Sequence, residues 1–409
     1  MQTKYSRNLS GAGSETTGGA ALVLDVGTTD VKAFVFDACE KVLARAAKSL
    51  QKSFPQKEWV EQDPFEIFDV SKKVLRAAVS ESGVDVEDIS AFGIANQRET
   101  TILWDRATGE PVYPAIVWED KRTKAVCEHL AQEHGKMILG KTGLQVDSYF
   151  SASKIKWILD SVPDARVRAE KGELCFGTVD SWLLWNFADT HLHRTDVTNA
   201  SRTLLFNIHT KQWDEELLSL FSIPHALLPE VQLSASDFGT LSPGLFGSGI
   251  PIRAIAGDQQ ASLFAAGHEI GTTKITFGTG IFIMQIVGDD FQTHPPFFTT
   301  LTADGNGEAH FAIEAKIEAC AECVTPLIGH QPELDTLLDG FAAQVAHFVG
   351  ELPIPPKELI IDGGVTQAPH LKVALERATG LPTREHAIFN GTALGAMRLI
   401  QDYLVEGHV

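Results

Sequence analysis

Two short apolar runs, each broken by a Gly-Thr turn, constrain this chain more than any other feature. Ala21 to Val26 runs into Gly27-Thr28-Thr29 and resumes as Val31 to Phe36. Far along the chain, Ile275 to Met284 repeats the pattern around Gly278-Thr279-Gly280. Each reads as strand, tight turn, strand. One such hairpin near each end predicts two lobes that offer backbone N–H groups and a hydroxyl to a shared ligand. A glycine-rich turn suits a phosphate, because its N–H groups donate where a side chain would block approach. Asp25 stands just before the first turn, where a strand-end carboxylate can hold Mg²⁺ directly or through water.

Between the hairpins, strand and helix signals are intermixed, so the class is α/β. Asp63-Pro64 predicts a helix start, with Asp63 as N-cap, and Gly83 predicts its end. Further helices are expected around Arg122 to Glu133, Ser153 to Leu159, Ser181 to Phe187 and His370 to Thr379. Strands are expected at Ala91 to Ala95, Thr101 to Trp104, Ala115 to Trp118, Ile252 to Ala256 and Leu359 to Asp362. A length of 409 residues suits two or three domains. The Ser-, Thr- and Gly-rich start of the chain reads as a flexible tail over residues 1–19, not as a signal peptide.

Composition excludes several functions. With 34 Lys+Arg against 53 Asp+Glu, the net charge is −19. Such a surface repels nucleic acid and anionic membranes. No apolar run approaches the roughly 18 residues that a membrane span needs. Five scattered cysteines fit a reducing cytoplasm. Cys320-x-x-Cys323 lacks further metal ligands and falls in the helical-looking run Phe311 to Leu327, so it reads as helix packing. Gly135 to Thr142 matches the phosphate-loop pattern G-x-x-x-x-G-K-T letter for letter. That pattern works only between a strand and a helix. Here a helix precedes it, so Gly135 reads as that helix's C-terminal stop.

Three places carry candidate chemistry. The strand Ala91 to Ala95 runs into Asn96-Gln97-Arg98-Glu99-Thr100-Thr101. The Arg98 guanidinium offers a fork of donors and the Glu99 carboxylate offers acceptors, which suits a small molecule with several hydroxyls. A surface ion pair is the plain alternative. Ala256-Gly257-Asp258-Gln259-Gln260 puts a carboxylate at a strand end and helix start, where the helix N-terminus favours its ionised form. An ionised Asp can accept the proton of a hydroxyl attacking a γ-phosphoryl group. A simple N-cap is the alternative. Trp118 and Phe282 are aromatics that can cover a polyol's carbon skeleton, or simply belong to the core.

These strings resemble the FGGY family of carbohydrate kinases, and within it the members that phosphorylate glycerol. The matching stretches are Leu24 to Thr29, Trp59 to Pro64, Gly93 to Thr101, Ala115 to Trp118, Asp147 to Ser151, Phe176 to Asp180, Thr195 to Arg202, Ala256 to Ala261 and Thr276 to Phe282. The resemblance implies an actin-like, ribonuclease H-like pair of α/β domains with ATP in the cleft between them. Residues 20–266 would form the substrate-binding domain and 267–409 the ATP-binding one. It implies ATP-dependent phosphorylation of glycerol to sn-glycerol 3-phosphate. Arg98, Glu99, Tyr149 and Asp258 would bind the hydroxyls, with Gln259 beside them, and Trp118 and Phe282 would pack on the carbons. Asp258 would be the general base, and Asp25 with Asp258 would hold Mg²⁺. Thr28, Thr29, Lys32, Gly278 and Thr279 would hold ATP phosphates, with Gly363 and Gly364 near the adenosine.

The chain departs from the family pattern in three ways. Lys32 stands where glycerol-specific members usually carry Arg, though both are cationic and other family members use Lys. Ala368-Pro369 replaces a pair of Asn. Many tens of residues are missing near Ile328 to Leu334, which shortens the second domain. Two alternatives therefore stay open: a kinase for another small polyol or sugar, and a catalytically weak family member that binds ligand. A homodimer or homotetramer is also left open.

Overall fold

The structure, a computed structural model, describes residues 19–304, 309–317, 320–386 and 390–405. The expected N-terminal tail thus lies almost wholly outside the described residues. Two six-stranded sheets organise the chain. The first is built from β1 (Ala20–Val26), β2 (Asp30–Phe36), β3 (Val42–Ser49), β4 (Ile89–Asn96), β5 (Thr240–Leu241) and β6 (Ile250–Gly257), in the order β5-β6-β4-β1-β2-β3. The second is built from β7 (Thr273–Phe277), β8 (Ile281–Gly288), β9 (Phe298–Leu301), β10 (Phe311–Ile317), β11 (Leu359–Asp362) and β12 (Thr383–Glu385), in the order β9-β10-β8-β7-β11-β12.

The two sheets share a plan. In each, the Gly-Thr turn joins an antiparallel hairpin, β1–β2 or β7–β8, which a third antiparallel strand extends. On the hairpin's other side two strands run parallel to its first strand, β4 and β6 in one lobe and β11 and β12 in the other. Both hairpins read from sequence are therefore present, and the α/β class holds.

Alternation along β1 sets the layers. Leu22, Leu24 and Val26 pack with Ile67, Val74 and Leu75 of helix α1 (Pro64–Ser82). Asp63 caps α1, accepting from the Phe65 N–H at 2.9 Å, and Gly83 ends it at φ 70°. An N-cap of this kind contributes about 1 kcal/mol. Ala21 and Val23 face the opposite way, onto the layer that holds Ala261 and Phe264 of the helix Asp258–Ala266 and Ala393, Met397 and Ile400 of the chain's last helix, Gly391–Val405. These two helices touch closely. A Cβ on Gly395 would sit 1.7 Å from the Ala261 carbonyl oxygen, so only glycine permits the crossing. Asp25 shares the parity of Ala21 and Val23, which turns it toward the start of that last helix.

Residues between β4 and β6 build a side layer on the first lobe, with its own core around Leu103, Phe150, Ile155 and Phe176. It supplies Trp118 and Tyr149. Two expectations fail. Gly135 does not end a helix: the helix Lys124–Thr142 runs through it and stops at Gly143, φ 73°. Ile138 and Thr142 are buried on the continuing turns, and this burial outweighs the local glycine signal. The literal phosphate-loop match is thus entirely helical up to Thr142. Nor do the described residues of Phe311 to Leu327 form the expected helical run. Phe311–Ile317 is a strand between β8 and β9, and among the run's described residues only Ala321–Val324 is α-helical. Cys320 is buried and Cys323 exposed, and neither forms a disulfide. No helix among the described residues is long and apolar enough to cross a membrane.

Candidate active site

Register brings the candidate residues together. Asn96 lies opposite Val26 on one side and Gly257 on the other, so three parallel strands end at one level. Gly27-Thr28, Arg98-Glu99 and Asp258 follow directly. Ligands of open α/β sheets bind outside these carboxyl ends. In the second lobe Thr276 lies opposite Asp362, which brings Gly278-Thr279 and Gly363-Gly364 to the matching level. Between the lobes is a cleft of about 460 Å³. Arg98, Glu99, Trp118, Tyr149, Asp258, Gln259 and Phe282 line it, and so do Asp25, Thr28, Thr29, Lys32, Gly278, Thr279, Gly363 and Gly364. Every residue given a candidate catalytic, substrate, phosphate or metal role from sequence lines this one cleft.

At one end of the cleft charged side chains are buried and mutually bonded. Arg98 and Glu99 are 2% and 1% exposed, so the plain reading of a solvated surface pair does not apply. Arg98 Nε stands 3.3 Å from Asp258 Oδ1, and Nη1 donates to Gln260 Oε1 at 3.2 Å and to Glu314 Oε2. Nη2 donates to Tyr149 Oη at 3.4 Å. Burial opposes the charge on Arg98, but Glu314, Tyr149, Glu99 and Asp258 together raise its pKa well above the usual value. Glu99 holds φ 62°, a conformation costing a side-chain-bearing residue about 1–3 kcal/mol. The Thr100 N–H donates to the Arg98 carbonyl at 2.8 Å across it, and the Ser151 and Thr101 hydroxyls each donate to the Glu99 carbonyl at 3.1 Å. The surroundings therefore hold the strained turn.

Asp258 sits where the two ends meet. Its Oδ1 accepts from the Gln259 N–H at 2.7 Å. Burial pushes its pKa up to about 6, against the pull of Arg98, with Asp25 and Glu99 adding to the rise. An acid of that strength is ionised at neutral pH yet basic enough to take a proton. Trp118 meets Tyr149 and Phe282 edge-on at 5.7 and 6.1 Å, giving this end an aromatic wall.

At the other end two glycine turns stand beside hydroxyl, carboxylate and amide side chains. The Gly27 and Gly278 N–H groups close their own turns on the carbonyls of Asp30 and Gly280. Phosphate contact there would fall to the N–H groups and hydroxyls that follow. Thr28 Oγ1 already accepts from the Trp118 indole at 2.8 Å, which ties the aromatic wall to the first turn. Lys32 pairs with Asp30 at 2.9 Å and lies 3.8 Å from Asp25. Burial raises the Asp25 pKa against Lys32 and against Asn390, whose amide donates to Asp25 Oδ2 at 2.9 Å. Asp362 accepts from Thr276 at 2.6 Å and from Ser262, which links the lobes under the cleft. Gly363, at φ 101°, comes so near Phe277 that a Cβ would meet its carbonyl oxygen at 2.3 Å. Ala368 and Pro369 open the helix Pro369–Thr379 and do not line the cleft.

Sequence reading assigned no role to four residues that shape the site. Arg202 donates to Glu99 and Glu314, both at 2.7 Å. Glu314 joins it to Arg98. Lys274, fully buried, donates to Gln259 Oε1 at 2.8 Å, and burial lowers its pKa. Lys316 Nζ lies 4.2 Å from the Tyr149 ring centre. Nothing local in Phe311–Ile317, whose burial does not alternate, singled out Glu314. Arg202 lay within a matching motif, but nothing local assigned its partners.

Residues 20–265 match the N-terminal domain of the FGGY family of carbohydrate kinases. The chain is similar to a glycerol kinase of Alcanivorax borkumensis, 48% identical over 298 residues that make up 72% of this chain and 60% of that protein. It is similar to a glycerol kinase of Burkholderia vietnamiensis, 45% identical over 82% of this chain and 68% of that protein. The matches thus span roughly three-fifths to two-thirds of these relatives' length. Among solved structures, Plasmodium falciparum glycerol kinase with ADP superimposes with a TM-score of 0.86 at 25% identity, covering 96% of this chain and 91% of that one. A ligand-bound xylulose kinase from Lactobacillus acidophilus, 16% identical, shares the fold at a TM-score of 0.83 over 95% of this chain and 90% of that one. The chain belongs to the FGGY family of carbohydrate kinases.

Proposed function

We propose that this protein transfers the γ-phosphoryl group of ATP to glycerol, giving sn-glycerol 3-phosphate. One observation carries the reading. Asp258, with a pKa of about 6, stands between a buried polyol-sized grip and two glycine turns. Arg98 donates to glycerol hydroxyls, while Glu99 and Tyr149 orient them. Trp118 and Phe282 cover the carbons, and Gln259 borders the pocket. Both close contacts of the Asp258 carboxylate fall on Oδ1, so Oδ2 takes the proton of the attacking hydroxyl. Thr28, Thr29, Lys32, Gly278 and Thr279 hold the phosphates in line with that hydroxyl, and Gly363 and Gly364 lie beside the adenosine. Such transfers depend on positioning and charge stabilisation more than on covalent chemistry.

The residues suit Mg²⁺. Asp25 and Asp258 are like charges facing one cleft, and no cluster of three or more metal-ligating side chains occurs among the described residues. Mg²⁺ commonly takes one or two carboxylates and completes its shell with phosphates and water. When bound, it would neutralise charge on the phosphates. We assign residues 20–266 to the substrate lobe and 267–409 to the nucleotide lobe, with the last helix packed on the former. Glycerol is favoured over other polyols because the relatives at 45–49% identity are glycerol kinases. The test is a panel of polyols with ATP and Mg²⁺. Glycerol should give the fastest ADP release, and rates no better than those of Asp258→Asn would sink the proposal.

A further inference from the structure

Two residues behind the grip decide whether it keeps its shape. Arg202 and Glu314 pair at 2.7 Å, and neither side chain is exposed. Arg202 follows the short helix Val197–Ala200 of the first lobe, while Glu314 comes from the middle of β10 in the second. Arg202 Nε donates to Glu99 Oε1, and Glu314 Oε2 accepts from Arg98 Nη1. The four side chains form a buried series, Glu99–Arg202–Glu314–Arg98, in which charges alternate and each inner member serves two partners.

The consequences follow from burial. A buried charge persists only when paired and hydrogen-bonded, and removing one partner leaves the other uncompensated. A planar guanidinium can bond two carboxylates along fixed directions, whereas an ammonium acts as a point charge. Arg202 uses Nε and Nη2 in this way, and its Nη1 has no hydrogen-bond partner among the described residues. The guanidinium is therefore held by its two carboxylates. Glu99, whose backbone is in the left-handed region, has one carboxylate oxygen fixed by Arg202 and lines the cleft.

We propose that Arg202 and Glu314 are the positioning pair of the polyol site, fixing Glu99 and Arg98 respectively, so that the second lobe completes the grip. The inference rests on the polyol reading above. Its test uses the full-length protein with Glu314→Gln and Arg202→Lys. Initial rates are measured with glycerol varied at saturating ATP and then the reverse, and glycerol binding is measured by calorimetry. Each variant should raise the glycerol KM and Kd at least about tenfold, the scale of one charge-assisted hydrogen bond. The ATP KM should stay within about twofold, since the lost interaction touches only one substrate. The double variant should be little worse than the worse single, because the pair acts as one unit. Glycerol parameters equal to wild type, or equal rises in both KM values, would overturn the positioning role. If Glu314→Gln fails to fold, Arg202→Lys, which keeps the buried charge, carries the test alone. Wild-type protein that binds no polyol would overturn the reading of the site itself, whatever the variants do.

Discussion

The two ends of the cleft solve their binding problems with opposite materials. The Arg98–Glu99 end is built from buried, charged side chains that bond one another across both lobes. The end with the two turns offers glycine turns and hydroxyls, beside Asp25, Asp362, Asn390 and a Lys32 partly open to solvent. A polyol is neutral and must be recognised by the directions of its hydroxyls, which demands side chains fixed by packing. A phosphate is anionic and nearly symmetric, so donors on a turn suffice. Substitutions at the first end should therefore disturb stability and recognition together. At the second end they should weaken binding and leave the fold alone.

The largest expected effect falls where the ends meet. Asp258→Asn should lower kcat by about 10²- to 10⁴-fold, the range for loss of a general base, with calorimetric glycerol binding largely kept. The same change should stabilise the protein at neutral pH. The folded-state pKa of Asp258 is raised from 3.8 to about 6, so its favourable contribution is present below pH 3.8 and lost as pH rises through 6. Melting curves of the two proteins should therefore diverge more at pH 7.5 than at pH 4. In wild type, kcat/KM for glycerol should fall as pH drops through about 6, as Asp258 takes up its proton. A flat profile down to pH 5 would count against it as the base.

Gly278→Ala sharpens the contrast at the other end. A Cβ there meets nothing nearer than 3.8 Å, so stability should change by less than about 0.5 kcal/mol. The methyl group would crowd the turn's N–H face, and the ATP KM should rise about tenfold with the glycerol KM unmoved. A matching rise in both would blur the two ends into one. The smallest effect is expected of Trp118→Phe. It keeps an aromatic wall but loses the 2.8 Å bond to Thr28, so both KM values should shift by about threefold, near the value of one neutral hydrogen bond.

The residues that sequence made visible share a location. Asp25, Thr28, Arg98, Glu99, Asp258, Gly278 and Gly363 all sit at strand ends or the turns just beyond, where short-range pattern and backbone geometry coincide. Helix α1 was legible for the same reason, since its cap, its proline and its terminal glycine are adjacent in sequence. Glu314 was not. Its strand reads as part of a helical run, and its partners Arg98 and Arg202 lie 216 and 112 residues away. Asn390 is 365 residues from Asp25, and no local periodicity can announce such a pair. Gly135 misled for the converse reason: a local stop signal was overruled by burial of Ile138 and Thr142 farther along the helix.

The last helix carries a consequence for the order of assembly. Besides Gly395 against Ala261, it sends Arg398 to Glu40 and Gln401 to the Ala38 carbonyl across 358 and 363 residues. The second face of the first lobe's sheet is thus covered by a helix whose Arg398 lies 358 residues beyond Glu40. During synthesis Ala21, Val23, Ala91 and Ala254 would stay open to water or to a chaperone until the helix Gly391–Val405 emerges. Contacts of such separation slow folding. The lobe that would hold the polyol is therefore begun well before that face can close, and a chain cut at Ala266 would expose it.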